Sequence, residues 1–350
     1  MRVAIEAASL SLSSGGLARY TGQLSLALAR LCLDDEFYLI SDQPFSIPAG
    51  APANLKRGAA PRTAIERRWW LWGMARELSR IGADVVHGPD FAVPYLARRP
   101  SVMTLHDLSP WLDPAWHSGA VRVMRRTPLL LKMGLATMVI TPGEHVRQEV
   151  IARFQLSPDR VVAVPEAAPE WFAPVATRPD SPYFLYVGTI EPRKNLPLLV
   201  EAWREVRRRH TVDLLIAGRR RADAPAIREE PGLRLLGEVP DEQLPALYSG
   251  ATALVYPSLY EGFGLPVIEA MQCGVCVIAS PALRETAGDA AVYAENAREL
   301  AQGMAEALER PEWRAEWSAR GRARAAGYSW RRTAQQTYAV YQEARRRFDK

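Results

Sequence analysis

The sequence predicts an α/β protein of two halves, each built on a mainly parallel sheet, and three observations predict it. Its 350 residues suit two domains of ordinary size better than one. Short β-branched runs alternate with amphipathic stretches along the chain, the pattern of strands joined by helical crossovers. The alternation lapses at 165–181, PEAAPEWFAPVATRPDS, which is rich in Pro and Ala and has no period. The expected division is therefore 1–165, a linker at 166–181, 182–329, and a tail at 330–350.

In the first half, strands are expected at 2–6 (RVAIE), 37–41, 84–87 (DVVH), 102–106 (VMTLH), 137–141 and 161–164, with helices such as 17–32 and 144–153 between them. The second half repeats the scheme with strands at 183–188 (YFLYVG), 213–217, 233–236, 252–256 and 275–279, and helices near 195–209, 241–249 and 265–273. A final helix is expected over 330–348, with Ser329 as its N-cap, packing back on the first half. Two Rossmann-like halves joined by one linker leave a cleft, and ligands of such sheets bind beyond the carboxyl ends of the strands.

Composition narrows the class. Hydrophobic residues make up 48% and charged residues 24%, which suits a soluble globular chain. No apolar run reaches the roughly 18 to 20 residues that span a bilayer. The start, MRVAIEAASL, alternates like a strand and lacks a signal peptide's apolar region. The three cysteines, Cys32, Cys273 and Cys276, fit a reducing cytoplasm better than a disulfide framework. A net charge of +5 would attract nucleic acid, an anionic membrane or a phosphorylated ligand. Much of it lies at Arg320, Arg322, Arg324, Arg331, Arg332, Arg345, Arg346 and Arg347, whose helical spacing among alanines reads as a solvated face. No nucleic-acid motif accompanies them, so no nucleic-acid partner is expected.

The densest chemistry is in LYEGFGLPVIEAMQCG (259–274), which keeps Glu261 and Glu269 with seven residues between them. Glu261 follows a strand in a turn whose Gly262 and Gly264 let backbone approach a ligand. The amides of Phe263, Gly264 and Leu265 open a helix and favour an anion there. Glu269, one turn on, suits the vicinal hydroxyls of a sugar such as ribose. In EPRKN (191–195), Arg193 and Lys194 also follow a strand, where a fork and a point charge could meet a diphosphate. Read singly, each of these is equally a loop charge or a helix-dipole residue.

SLYEGFGLPVIEAMQCGVCVIAS resembles the C-terminal motif of the retaining GT-B glycosyltransferases of glycosyltransferase family 4. YVGTIEPRKNLPLLVEAW (186–203) is similar to the family's donor-phosphate segment, and TLHDLSP (104–110) to its histidine loop. The resemblance implies a GT-B fold of two Rossmann-like domains, the first on the acceptor side and the second binding the nucleotide-sugar. It implies that Glu261 faces the hydroxyls of the transferred sugar and Glu269 the ribose, with the amides between them against the diphosphate. Arg193 and Lys194 would stabilise the departing diphosphate, with Glu191 holding them in position. Many members carry an arginine directly after the segment's glycine; here that residue is Thr189, which throws more weight on Arg193. His106 would contact the donor sugar; His87 also ends a strand and is its rival.

SLSSGGLARYTGQL places Gly15 and Gly16 after the first strand, where amides could reach the phosphate; it is not a dinucleotide fingerprint, and a plain turn is the alternative. No Asp-x-Asp occurs, which favours a reaction without metal or other cofactor. Cys273 and Cys276 lie between a helix and a strand and read as small buried residues. In IERRWWLWGMARELSRI (65–81), Trp70, Leu71, Met74, Leu78 and Ile81 share one helical face, while Ile65, Trp69 and Trp72 share another with Arg68 and Arg76. The second face suits either a membrane interface, or a lipid-linked acceptor, or a second buried contact.

The implied activity is transfer of a hexose, with retention, from a nucleoside diphosphate to the hydroxyl of a carbohydrate or lipid-linked oligosaccharide. Front-face attack would let the leaving phosphate take the acceptor's proton. The HDLSP and GTIEPRKNL forms look most like bacterial polysaccharide mannosyltransferases, which makes GDP-mannose the leading donor in cell-surface polysaccharide or O-antigen assembly. The expected place is the cytoplasm or the cytoplasmic membrane face, with 65–81 as the contact. A nucleotide-sugar epimerase on the same fold, or a silent binding protein, are the alternatives; a donor-only assay and a turnover assay separate them.

Overall fold

The structure, a computed structural model, describes residues 1–12, 15–96, 99–116 and 119–349. The chain divides into two compact units: 1–112 with 119–166 and 330–350, and 113–118 with 167–329.

The first unit carries β1 (Arg2–Glu6), β2 (Glu36–Ile40), β3 (Leu55–Arg57), β4 (Val85–Gly88), β5 (Ser101–Thr104), β6 (Met138–Thr141) and β7 (Val161–Ala163). They form one parallel sheet in the order β3-β2-β1-β4-β5-β6-β7. β4, β5 and β6 are buried at every residue, as expected of strands covered on both faces. The second unit carries β8 (Tyr183–Val187), β9 (Asp213–Ala217), β10 (Leu233–Gly237), β11 (Ala253–Tyr256), β12 (Val277–Ala279) and β13 (Val292–Tyr293). Its parallel sheet runs β10-β9-β8-β11-β12-β13. Each sheet reverses its winding once, between β1 and β4 and between β8 and β11. There the following loops diverge and open a crevice at the carboxyl ends.

The last helix, Trp330–Phe348, belongs to the first unit. Trp330, Thr333, Ala334, Thr337, Val340, Tyr341 and Ala344 are buried at spacings of three and four, one face of a helix. Thr333 donates to the carbonyl of Pro165 at 2.7 Å, and Tyr341 reaches His87. Arg346 and Arg347 pair instead with Glu343 on the solvated side.

The structure also departs from the expected elements. Residues 113–116 group with the second unit rather than the first, and there Trp116 stacks on Tyr260 at 6.3 Å. Within the irregular stretch 166–181, Ala168 and Phe172 enter the second core, and Phe172 meets Tyr248 edge-on at 5.8 Å. The largest correction concerns 65–81. Trp69–Gly73 is a π turn leading into the α-helix Met74–Ile81. A π turn takes in one extra residue and so rotates what precedes Met74 by about 100° relative to an unbroken helix. Trp69 consequently packs with Ile40, Met74 and Leu78, whereas Leu71 and Trp72 are exposed with Ile65.

Candidate active site

The β8/β11 crevice of the second unit gathers the charged residues of two motifs. Gly188 follows β8, and Gly218 follows β9; a Cβ on Gly218 would lie 2.0 Å from the Gly188 carbonyl oxygen, so the two turns touch only because the residue is glycine. The chain then enters the short turn Pro192–Lys194, while the loop after β11 returns Glu261. Arg193 donates from Nη1 to the Tyr260 carbonyl (2.6 Å) and Glu261 (3.2 Å), and from Nη2 to Glu191 (2.8 Å). Lys194 Nζ donates to Glu261 at 2.5 Å and to the Tyr256 hydroxyl at 3.2 Å. Arg221, on the loop after β9, completes the set by pairing with the other oxygen of Glu191.

All four residues of the central network, Glu191, Arg193, Lys194 and Glu261, are buried. Burial alone would raise the pKa of Glu261, but Lys194 and Arg193 outweigh it and hold the carboxyl below its usual range. Burial and the neighbouring guanidinium pull the Lys194 ammonium down, against the support of Glu261. The result is a preformed, dehydrated cluster whose cations carry more field than they would in water. Beside it, Gly264 caps the helix Leu265–Gln272 at φ 90°, and a Cβ there would lie 2.2 Å from Leu283. The amides of Phe263, Gly264 and Leu265 have no hydrogen-bond partner among the described residues. Phe263 and Leu265 are nearly buried, and the Phe263 carbonyl accepts from Thr286 at 2.6 Å.

Glu269 sits differently from Glu261. It is 0% exposed, and one of its oxygens accepts from the Tyr248 hydroxyl at 2.9 Å. Cys273 and Cys276 are buried in the same core, and burial pushes both thiols up to about 12.

In the first unit, His106 follows β5 and both ring nitrogens face acceptors: Glu166 at Nδ1 (2.9 Å) and the Pro89 carbonyl at Nε2 (2.8 Å). Two acceptors require two N–H groups, hence an imidazolium. Burial opposes that charge, but Glu166 and then Asp90 and Pro89 raise the pKa above its ordinary value. As it stands, no ring nitrogen of His106 is left over for a sugar. His87 is the opposite case: fully buried, bonded to Tyr341 (2.7 Å) and Thr104 (2.8 Å), and driven down to about 3 by burial. It is a neutral structural link. Gly15 (φ 119°) caps the helix that Gly16 begins; the preceding Ser13 and Ser14 lie outside the described residues.

Residues 14–169 match the family model for Glycosyltransferase Family 4, and residues 168–324 that for Glycosyl transferases group 1. O-antigen chain mannosyltransferase B of Escherichia coli is 34% identical over 284 residues, 73% of this chain and 74% of that protein. The chain belongs to glycosyltransferase family 4.

Another relative, the serotype-specific mannosyltransferase WbdA of Escherichia coli, is 30% identical over 263 residues, which make up only 32% of its length. Among solved structures, a sucrose-phosphate synthase from Thermosynechococcus elongatus superposes with a TM-score of 0.74 at 22% identity, covering 98% of both chains. HepE of Anabaena, solved with UDP and glucose, superposes at 0.69 and 15% identity, covering 97% of this chain and 98% of that one. Likeness at that level speaks for the fold, which is GT-B. This family-4 chain is therefore a glycosyltransferase. Sequence reasoning found Arg193, Lys194 and Glu261 in this glycosyltransferase but passed over Arg221 and Tyr256. Arg221 lies outside the motifs, in the run GRRRAD, where nothing local separates it from Arg219 and Arg220.

Proposed function

We propose that this glycosyltransferase moves mannose from GDP-mannose to a hydroxyl of a growing cell-surface polysaccharide, with retention and without a metal. The observation that carries the reading is the buried Arg193–Lys194–Glu261 network at the β8/β11 crevice. A departing nucleoside diphosphate gains negative charge, and two dehydrated cations aimed at it stabilise that charge more than they do the ground state. Glu261 keeps both cations in place before the donor arrives and orients the sugar's hydroxyls once it does. The free amides at Phe263, Gly264 and Leu265 give the phosphate a second set of donors.

Retention follows from front-face attack, in which the leaving phosphate takes the acceptor's proton as the new glycosidic bond forms and the old one breaks. Mannose and an O-antigen-type product are supported by the names of the relatives in Escherichia coli. Glu269 serves the ribose end through the wall it makes with Tyr248, and Gly15 and Gly16 let amides approach the phosphate. His106 acts as a fixed positive charge near the sugar rather than as a free donor. Exposed Ile65, Leu71 and Trp72 beside Arg67 and Arg68 support peripheral contact with the cytoplasmic membrane face, where a lipid-linked acceptor would be met. No helix of the described residues is long and apolar enough to cross a membrane.

The test is a donor panel of GDP-, UDP- and dTDP-hexoses with mannose-terminated acceptors, followed by anomeric analysis of the product. Transfer from GDP-mannose with an α-linked product supports the reading; transfer from another donor alone, or with inversion, overturns it.

A further inference from the structure

The loop after β9 is laced to the loop after β8 by backbone bonds beyond the ends of both strands. Ile190 donates to the Arg219 carbonyl at 2.8 Å, and Arg221 donates back to the Ile190 carbonyl at 3.1 Å. This parallel bridge extends the β8–β9 ladder past Gly188 and Gly218 and brings Arg221 to Glu191. Arg220 turns instead to the carbonyls of Pro225 and Ile227, and Arg219 is exposed. Three consecutive arginines thus meet three different surroundings, and it is Arg221 that reaches the charged network.

The Arg221 guanidinium joins several parts of the second unit. Nε and Nη2 fork onto the carboxylate of Asp223 at 2.8 and 2.5 Å, which fixes the guanidinium plane. Nη1 donates to Glu191, and Nη2 also donates to the Trp116 carbonyl. Glu191 therefore carries a guanidinium on each oxygen, Arg193 on one and Arg221 on the other. Arg193 in turn donates to the carbonyl of Tyr260, whose ring stacks on Trp116. These contacts close a ring from Arg221 through Glu191, Arg193, Tyr260 and Trp116 back to Arg221. The Arg221 side chain is 22% exposed against 9% for Arg193, so it can be replaced without opening a cavity in the core.

The ring decides where Arg193 points. A carboxylate with both oxygens available to one guanidinium favours the bidentate pair, which would draw Arg193 away from Glu261. Because Arg221 occupies one oxygen, Glu191 keeps a single bond to Arg193, and the other arm of Arg193 stays on Tyr260 and Glu261. We propose that Arg221 is a positioning residue: it holds Glu191 so that Arg193 stays aligned for a diphosphate, and it ties that alignment to the docked segment 113–116. The kinetic consequence rests on glycosyl transfer as the reaction, whereas the alignment itself is read from nucleotide binding alone.

The test compares Arg221→Ala and Arg221→Lys, each alone and in a Glu191→Gln background, by calorimetry with GDP, UDP and dTDP and by steady-state kinetics. For the nucleotide that the wild type binds most tightly, Arg221→Ala should weaken binding and lower kcat, each roughly tenfold. In the Glu191→Gln background the same change should alter neither by more than about twofold, because its effect runs through Glu191. Lysine restores the charge but not the fork on Asp223, so Arg221→Lys should stay nearer to Arg221→Ala than to wild type. Trp116→Ala, which removes the stack on Tyr260, should weaken nucleotide binding in the same direction. Wild-type binding and kcat in Arg221→Ala, full recovery by lysine, or no nucleotide binding by the wild type would overturn the role. An undiminished loss in the Glu191→Gln background would also overturn it, by showing that Arg221 does not act through Glu191. If Glu191→Gln does not fold, the lysine comparison decides. Wild-type affinity in Trp116→Ala would overturn the tie to 113–116. The expected binding losses without turnover of any nucleotide-sugar would instead sink the transfer reading and leave the positioning role standing.

Discussion

Lys194 makes the sharpest residue-scale case, because its ammonium is buried yet bonded to one carboxylate and one hydroxyl. Lys194→Ala and Arg193→Ala should each lower turnover by roughly 10²-fold or more, the usual effect of losing one electrostatic contact to the transition state. Glu261→Gln should lower kcat and also move the basic limb of its pH profile to lower pH. The sign follows from Glu261 supporting the Lys194 charge: without it, Lys194 loses its proton sooner. A basic limb that stays put would show that Lys194 does not set it. Glu269→Ala should behave differently, since removing a fully buried carboxyl leaves a cavity and takes away the bond from the Tyr248 hydroxyl. A loss of about 3 kcal/mol of stability, together with weaker nucleotide binding, is expected by urea denaturation and calorimetry. Wild-type stability in that variant would show the Tyr248 bond to be dispensable. Arg193, Lys194 and Glu261 were legible in the sequence because each lies in a glycine- or proline-marked loop that follows a strand. The burial of Glu6 was not: it closes an ordinary alternating strand, and only the folded sheet sets it opposite Ile40 of β2.

At the scale of elements, His87 ties β4 to β5 through Thr104 and to the last helix through Tyr341. Its folded pKa, about 3, lies below the ordinary 6.5. As pH falls from 6.5 toward 3 the unfolded chain takes a proton that the folded one refuses, and stability drops by up to about 1.4 kcal/mol per pH unit. Glu6 acts with the opposite sign, its contribution being present below the ordinary 4.5 and lost as pH rises toward 8. The comparison of wild type with His87→Gln therefore isolates the histidine. The variant should be less stable at pH 7 and show a flatter acid limb; an unchanged acid limb would mean that His87 is not held neutral. The π turn at Trp69–Gly73 explains why the reading of 65–81 was half right. Trp70, Met74, Leu78 and Ile81 lie inward as a wheel predicts, but the wheel assumes an unbroken helix and so exchanged Trp69 with Leu71. Trp72→Ala should weaken sedimentation with vesicles rich in anionic lipid, and equal binding would remove this segment from membrane contact. β3 and β13 escaped notice because three and two residues are too few to show a period. The helix Val121–Lys132 hides its amphipathic face behind an internal Pro128.

Across the whole molecule, two parallel sheets share one winding, each with a single reversal point. The second unit has a buried, ion-paired network of Glu191, Arg193, Lys194 and Glu261 at β8/β11. Fold class followed from periodicity alone, since alternating β-branched runs and amphipathic helices admit few other arrangements. The central claim is that protein cations, not a metal, stabilise the leaving group. It is tested most directly by the initial rate of sugar transfer in excess EDTA, for the wild type and Lys194→Ala in parallel. The account predicts an undiminished wild-type rate and a loss of roughly 10²-fold or more in the variant. Abolition by EDTA with recovery on adding magnesium, or a Lys194→Ala rate equal to wild type, would contradict it.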